Sequence, residues 1–247
     1  MNAGNTRVRA SVPPVIREAP PAPVFKDEER VAELRARRER VAEKIGPNSV
    51  LVMFSAEPRV YTNDVDYEFR QENDLFYLTR LNQKGATLVL LPGNTETPEI
   101  LFLPRRNPAA ETWTGHMYSP EEARQLSGVN EIWEAREFEP FMRALRTRRA
   151  YRPQADAILL SSIKGASNQA NAAQAAAQAV AQAATPQNTS GGSDGLFAAM
   201  EKNDAQLYLV LPGGENSREY RQEQEFAANW AKTATGLNVR SAWPIFA

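Results

Sequence analysis

Apolar residues return along this chain in two rhythms. Between Lys26 and Ile45, Val31, Leu34, Val41 and Ile45 fall at helical spacing, with Arg38 interrupting the stripe. Gly46-Pro47 follows as a stop. The arginines of this helix stand among Asp27, Glu28, Glu29, Glu33, Glu39 and Glu43, so a solvated, salt-bridged face is expected rather than a nucleic-acid helix. The rhythm then changes to short unbroken apolar runs: Val50 to Phe54, Leu75 to Thr79, Thr87 to Leu91 and Ile100 to Leu103. Such runs suit strands covered on both faces. Ser119 to Leu126 is expected as a helix, with Pro120 in its first turn and Glu121 and Glu122 at the positive end of its dipole. Glu131 to Glu134 reads as a strand and Phe138 to Leu145 as a helix. Ala157 to Ser161, Leu207 to Leu211 and Val239 to Trp243 read as further strands, and Ser217 to Ala234 as an amphipathic helix carrying Tyr220, Ala227, Trp230 and Ala234. Strands interleaved with helices on both sides predict one layered α/β domain over residues 26–247.

Two stretches depart from this pattern. Residues 1–25 are rich in Pro, Ala and Arg and read as an extended tail. From Gly165 to Ser193 there is no charged residue, and Gln174, Gln178 and Gln182 recur four apart in an Ala-rich sequence. That composition reads as an insert at 165–194, either a surface helix or disordered, and suggests no chemistry in either form.

Composition removes several classes of function. A net charge of -1, from 29 basic and 30 acidic side chains, gives no reason to expect nucleic acid or an anionic membrane as partner. No cysteine is present, which excludes disulfides, thiolate nucleophiles and zinc–thiolate sites. One histidine, His116, cannot by itself supply a His₂ or His₃ metal centre, and Ser-His-Asp chemistry would have to use it. No apolar run approaches the roughly 20 residues of a membrane span. A soluble protein is expected, cytoplasmic, or exported if a leader has been removed from a precursor.

Candidate chemistry gathers in three places. Asn63, Asp64, Asp66 and Glu68 bring oxygen ligands together, which a hard metal could use, although a turn is the preferred reading. The segment Asp66 to Thr79 sets Arg70 among aromatics and acids, and a partly buried arginine fork tied to carboxylates and carbonyls is expected there. Trp113, in Glu111-Thr112-Trp113-Thr114-Gly115, is either a core plug or an exposed anchor, and His116 beside it reads as a surface or hydrogen-bonded histidine. Gly213-Gly214 is a weak phosphate-loop suggestion, and a plain turn fits it better.

The same segments carry a family resemblance. Tyr67-Glu68-Phe69-Arg70-Gln71 and Asp74-Leu75-Phe76-Tyr77-Leu78-Thr79 resemble the "Y-x-F-R-Q … D-F-x-Y-L-T-G" signature of the amino-terminal domain of aminopeptidase P, the creatinase/prolidase type. Ala86 to Leu91, Leu101-Phe102 and Glu111 to Gly115 follow in the same order. The resemblance is close over about residues 30–145 and looser beyond. Arg80 stands in place of the signature's glycine, Asn107 in place of an aspartate after Arg106, and His116 in place of a frequent arginine.

The resemblance implies a mixed β-sheet with helices on both faces, ribonuclease H-like, with Tyr67, Arg70, Gln71, Asp74 and Tyr77 as structural motif residues. It implies no catalytic residue and no cofactor in this chain. Two manganese ions and the hydrolysis of Xaa-Pro bonds would belong to a separate pita-bread domain that is absent here. The expected partners are that catalytic domain, further copies of the same chain, and peptides with proline at the second position. Trp113 would line the substrate pocket of a neighbouring subunit. The alternatives are a free-standing peptide- or protein-binding module lacking peptidase activity, and a small carboxylate–metal enzyme using Asp64 and Asp66.

Overall fold

A computed structural model describes residues 26–63, 65–109, 111–161, 191–211 and 220–246. The Pro/Ala/Arg tail, Asp64, almost all of the Ala/Gln insert and Gly213-Gly214 lie outside the described residues.

The first helix, α1 (Asp27–Ile45), leads into strand β1 (Ser49–Phe54). A two-stranded ribbon, β2 (Val60–Thr62) and β3 (Val65–Asp66), precedes helix α2 (Asn73–Thr79). Strands β4 (Thr87–Leu90) and β5 (Glu99–Leu103) are followed by the short helix α3 (Glu111–Thr114), helix α4 (Pro120–Ser127), strand β6 (Ile132–Glu134), helix α5 (Phe138–Arg146) and strand β7 (Ile158–Leu160). Helix α6 (Asp194–Glu201), strand β8 (Ala205–Leu209), helix α7 (Arg221–Ala231), strand β9 (Leu237–Ser241) and helix α8 (Trp243–Phe246) follow, and a 3₁₀ turn (Ala135–Glu137) joins β6 to α5.

Seven strands form one mixed sheet in the order β7-β6-β5-β4-β1-β8-β9. Strand β1 lies parallel to β8 and antiparallel to β4, and β8 lies parallel to β9. Alternate side chains of each central strand enter different cores, as the two-residue period of a strand requires. Val50, Val52 and Phe54 join Phe102, Trp133, Phe138, Phe141 and Trp230 on one side. Leu51 and Met53 join Leu75, Leu78, Leu88, Leu101 and Ala123 on the other. All six residues of β1 and all four of β4 are buried, so the unbroken apolar runs do mark strands covered on both faces.

One expected strand is a helix. Leu75 to Thr79 falls inside α2, where the Glu72 side chain caps the first turn by accepting from the Leu75 amide at 2.7 Å. Leu75 and Leu78 then face the sheet, while Phe76 and Tyr77 remain about half exposed. An apolar run this short fits either period, and the cap decides between them. The helix ends on Arg80 in the left-handed conformation, φ 61°. That conformation gives the physical reason for a glycine in the family signature at this position, because a side chain there costs on the order of 1 kcal/mol. The ribbon and helices α3, α6 and α8 are elements that the periodicity did not indicate. Asn63, also left-handed at φ 44°, sits in the bend between β2 and β3, in keeping with the turn preferred for this stretch.

The arginine interrupting the α1 stripe does not interrupt it. Arg38 is 2% exposed and lies on the buried face with Leu34, Val41 and Ile45. Its guanidinium forks onto Glu99, with Nε to Oε2 at 2.7 Å and Nη2 to Oε1 at 3.3 Å. Its Nη1 donates to the carbonyls of Leu78 and Ser127, both at 2.9 Å. One side chain therefore ties α1 to the ends of α2 and α4 and to the start of β5. The solvated reading holds for the outer arginines, such as Arg37 and Arg40 on Glu33, and is corrected for Arg38.

Candidate functional site: an acidic cleft and an exposed tryptophan

The chain leaves the carboxyl end of β1 at Ser55, on the side where parallel β8 also ends. Clefts outside the carboxyl ends of parallel strands are common ligand sites in α/β sheets. A cleft of about 560 Å³ opens here, lined by Ser55 to Glu57, Arg59, the segment Tyr67 to Asn73, Tyr220 and Glu223. Its wall is the signature segment, and Gln71 holds that wall. The Gln71 side-chain oxygen accepts from the amides of Ala56 and Glu72, both at 2.9 Å. Its amide nitrogen donates to the carbonyls of Leu81 at 3.2 Å and Gln83 at 3.1 Å. The buried Gln71 thus satisfies four backbone groups that no strand partner could reach.

Arg70 does not form the expected buried fork. It is exposed and lines the cleft, and the buried arginine fork of this fold is Arg38. The reason is placement: Arg70 lies on an extended stretch at the cleft wall, whereas Arg38 lies on a helix face turned to the sheet. Tyr67 is exposed at the cleft and packs edge-to-face on Tyr61 at 5.1 Å. Tyr77 stands away from the cleft lining, under the Arg37 guanidinium at 4.3 Å. Asp74 is half-buried at the start of α2. Burial, with the negative charge of Glu72 second, pushes its carboxyl up to about 6.

Glu223 was not singled out by its sequence. It is 5% exposed, on the inner face of α7, and borders the cleft. Burial first, then the like charges of Glu72 and Glu57, push its carboxyl up to about 7 against the bond from its own backbone amide. The signal that could have found it is its place three residues after Tyr220 and four before Ala227, on the same apolar face.

Trp113 occupies a second place. It is 89% exposed on α3, so it is not a core plug. The base of its loop is pinned by hydrogen bonds. Arg106 grips Glu111 with both nitrogens, Nε at 2.6 Å and Nη2 at 3.1 Å, and this hydrogen-bonded guanidinium holds the Glu111 carboxyl below its usual range. The Gly115 amide donates to the Glu111 carbonyl at 3.0 Å. His116 lies 3.5 Å from Glu122 and meets the Tyr118 ring edge-on, as a surface histidine does. The Tyr118 amide donates to the Gln83 side chain at 2.9 Å. Gln83, whose carbonyl receives Gln71, therefore joins the cleft wall to the base of the Trp113 loop.

Among the described residues, no group of three His, Cys, Asp or Glu is placed to hold a metal ion, and no helix is long and apolar enough to cross a membrane. Asp64 lies outside the described residues, and Asp66 is placed only as backbone of β3. Those two aspartates therefore gain no support as a metal site from the described geometry.

Comparison with known proteins agrees with this geometry. Residues 34–152 match the family model "Aminopeptidase P, N-terminal domain". Over 106 residues the chain is 40% identical to Xaa-Pro aminopeptidase of Haemophilus influenzae, covering 43% of this chain and 25% of that protein. Over 99 residues it is 35% identical to human Xaa-Pro aminopeptidase 3, covering 38% of this chain and 19% of that protein. The chain thus spans a quarter or less of the length of these relatives. Among solved structures, aminopeptidase P from Escherichia coli in its low-pH form matches with a TM-score of 0.51 at 18% identity, over 90% of this chain and 38% of that one. Pseudomonas aeruginosa aminopeptidase PepP matches with a TM-score of 0.50 at 16% identity, over 87% and 36%. These two likenesses establish the fold, and residues 34–152 carry the match to the aminopeptidase P N-terminal domain model and to Xaa-Pro aminopeptidase relatives.

Proposed function

We propose that this chain serves an Xaa-Pro aminopeptidase as its non-catalytic amino-terminal domain, assembling subunits and walling the entrance to the substrate pocket. The observation that carries the reading is Trp113, a large apolar side chain 89% exposed on a loop whose base carries a two-point Arg106–Glu111 ion pair. Exposed rings on rigid supports are characteristic anchors at protein and ligand interfaces, because little motion is lost when they are covered. A wall of this kind stacks on a proline ring and excludes longer ligands.

Catalysis, and the manganese it would use, is assigned to a partner domain. The partners are that domain, further copies of this chain, and peptides carrying proline at the second position. The residues that this chain contributes are Trp113 at the pocket or subunit boundary, and Tyr67, Gln71, Asp74 and Tyr77 as the frame behind it. Arg70 belongs to the cleft wall.

The test is direct. The purified 247-residue chain, supplied with manganese and an Xaa-Pro peptide, is expected to release no amino-terminal residue. Robust manganese-dependent release would overturn the proposal. Sedimentation of the same chain and of Trp113→Ala is expected to show weaker self-association in the variant.

A further inference from the structure

We infer that the cleft at the carboxyl end of β1 is a binding site for an organic cation, a primary ammonium or guanidinium group received by Glu223. This goes beyond the role proposed for Trp113 and does not depend on it.

Three observations support the site. The first is Glu223 itself. It is 95% buried, since its exposure is 5%, yet it borders the cleft. Among the described residues its carboxyl receives only its own backbone amide. Among the described residues this buried carboxyl has no ion-pair partner, so burial favours its neutral form, and a cation entering the cleft would favour the charged one. The neighbouring acids are already engaged. Glu72 caps α2 through the Leu75 amide at 2.7 Å, and Glu57 pairs with Arg221 at 3.1 Å.

The second is charge. Glu57, Glu68, Glu72 and Glu223 face Arg59 and Arg70 across the same space. Among the described residues, the charged neighbours acting on Glu223 are Glu72 and Glu57, and neither is basic. The floor of the cleft therefore favours a positive guest.

The third is the nature of the walls. Tyr67, Phe69 and Tyr220 line the cleft. Ring faces attract ammonium and guanidinium groups and add little for a hydrated metal ion. No three carboxylates among the described residues converge to hold a metal, which also separates an organic cation from a divalent one. The guest forms an ion pair with Glu223 and no covalent bond.

The experiment titrates the intact chain with propylammonium chloride and with ethylguanidinium chloride, following backbone amide resonances against potassium chloride of equal ionic strength. A parallel arm uses the blocked peptide acetyl-Gly-Lys-Gly-amide, to separate a free amine from a side chain presented by another polypeptide. Saturable shifts at residues 55–57, 67–73 and 220–223, with dissociation constants in the millimolar range (about 1–50 mM), are expected for the small cations, the peptide or both. Affinity is expected to rise about tenfold from pH 6 to pH 8 as Glu223 ionises around 7. Glu223→Gln, which keeps the shape, is expected to abolish saturation. Tyr67→Ala removes an exposed ring and is expected to weaken binding several-fold without disturbing the fold. Should Glu223→Gln fail to fold, the pH dependence of the unaltered chain and the Tyr67 variant still decide. Shifts no larger than those of potassium chloride up to about 100 mM would overturn the inference, as would undiminished binding in Glu223→Gln or a preference for Mn²⁺. None of these outcomes bears on peptidase activity, so failure here leaves the role of Trp113 untouched.

Discussion

Two buried charges in this molecule have opposite surroundings. Arg38 is enclosed by Glu99 and by the carbonyls of Leu78 and Ser127, so its guanidinium finds partners from three elements besides its own helix. Glu223 is as deeply buried, but its neighbours are Glu72 and Glu57, which repel it. A buried charge with its partners in place fixes architecture. One held among like charges beside a cleft keeps a capacity for interaction that the fold does not use. The contrast separates the part of the domain that holds its shape from the part that faces a guest.

The sharpest way to break this contrast is at Arg38. Arg38→Ala is expected to destabilise the domain by about 3–5 kcal/mol, measured by urea unfolding, because it strands Glu99 and two carbonyls. The double variant Arg38→Met with Glu99→Leu is expected to recover much of that loss. A cost below about 1 kcal/mol for the single change would mean that the corner is already hydrated.

Glu223 should respond in the opposite direction. Its folded-state midpoint, about 7, lies above its ordinary value of 4.5, so the native chain binds that proton more tightly than the unfolded one. The stability this confers is present below about 4.5 and is lost as pH rises through 7. Asp74, raised from 3.8 to about 6, adds a slope of the same sign at lower pH. Glu223→Gln is therefore expected to match the unaltered chain near pH 5 and to exceed it at pH 8 by up to about 3 kcal/mol, read from thermal midpoints across pH. Equal stability at both pH values would place the carboxyl in contact with water.

Gln71 is the neutral counterpart of Arg38. Gln71→Ala removes partners from Ala56, Glu72, Leu81 and Gln83 and is expected to cost about 1–3 kcal/mol. Hydrogen exchange should accelerate at those residues and at Tyr118, which leans on Gln83. The smallest effect is expected at Trp113. Trp113→Ala should alter stability by no more than about 0.5 kcal/mol, since the ring contributes almost nothing to the core. A larger loss would return Trp113 to the architectural side of the comparison.

Much of the scaffold was legible because it is local. The continuous runs Val50 to Phe54, Thr87 to Leu91 and Ile100 to Leu103 are strands, and Ser119-Pro120 with Glu122 closes a capping box at the start of α4. The signature residues Tyr67, Arg70 and Gln71 all lie along the cleft, though Arg70 is not the buried fork expected of it. Leu75 to Thr79 misled because a short apolar run has no decisive period, and the helix depends on a single cap from Glu72. Glu223 escaped notice because an acid on an amphipathic helix is ordinarily solvated, and only the arrival of α7 beside the signature segment buries it.

The sequence alone determined the layered α/β class, the absence of cysteine chemistry, and the family resemblance carried by residues 67–79 and 111–115, because periodicity, composition and motif spacing reside in neighbouring residues. Tertiary structure decided which arginine is buried, which acid is buried among like charges, and that Trp113 faces outward. Those outcomes depend on elements far apart in the chain, with Arg38 meeting Glu99 and Glu57 meeting Glu223 in one cleft. Burial and partnering of a charge are properties of the assembled surroundings, and no window along the chain contains them.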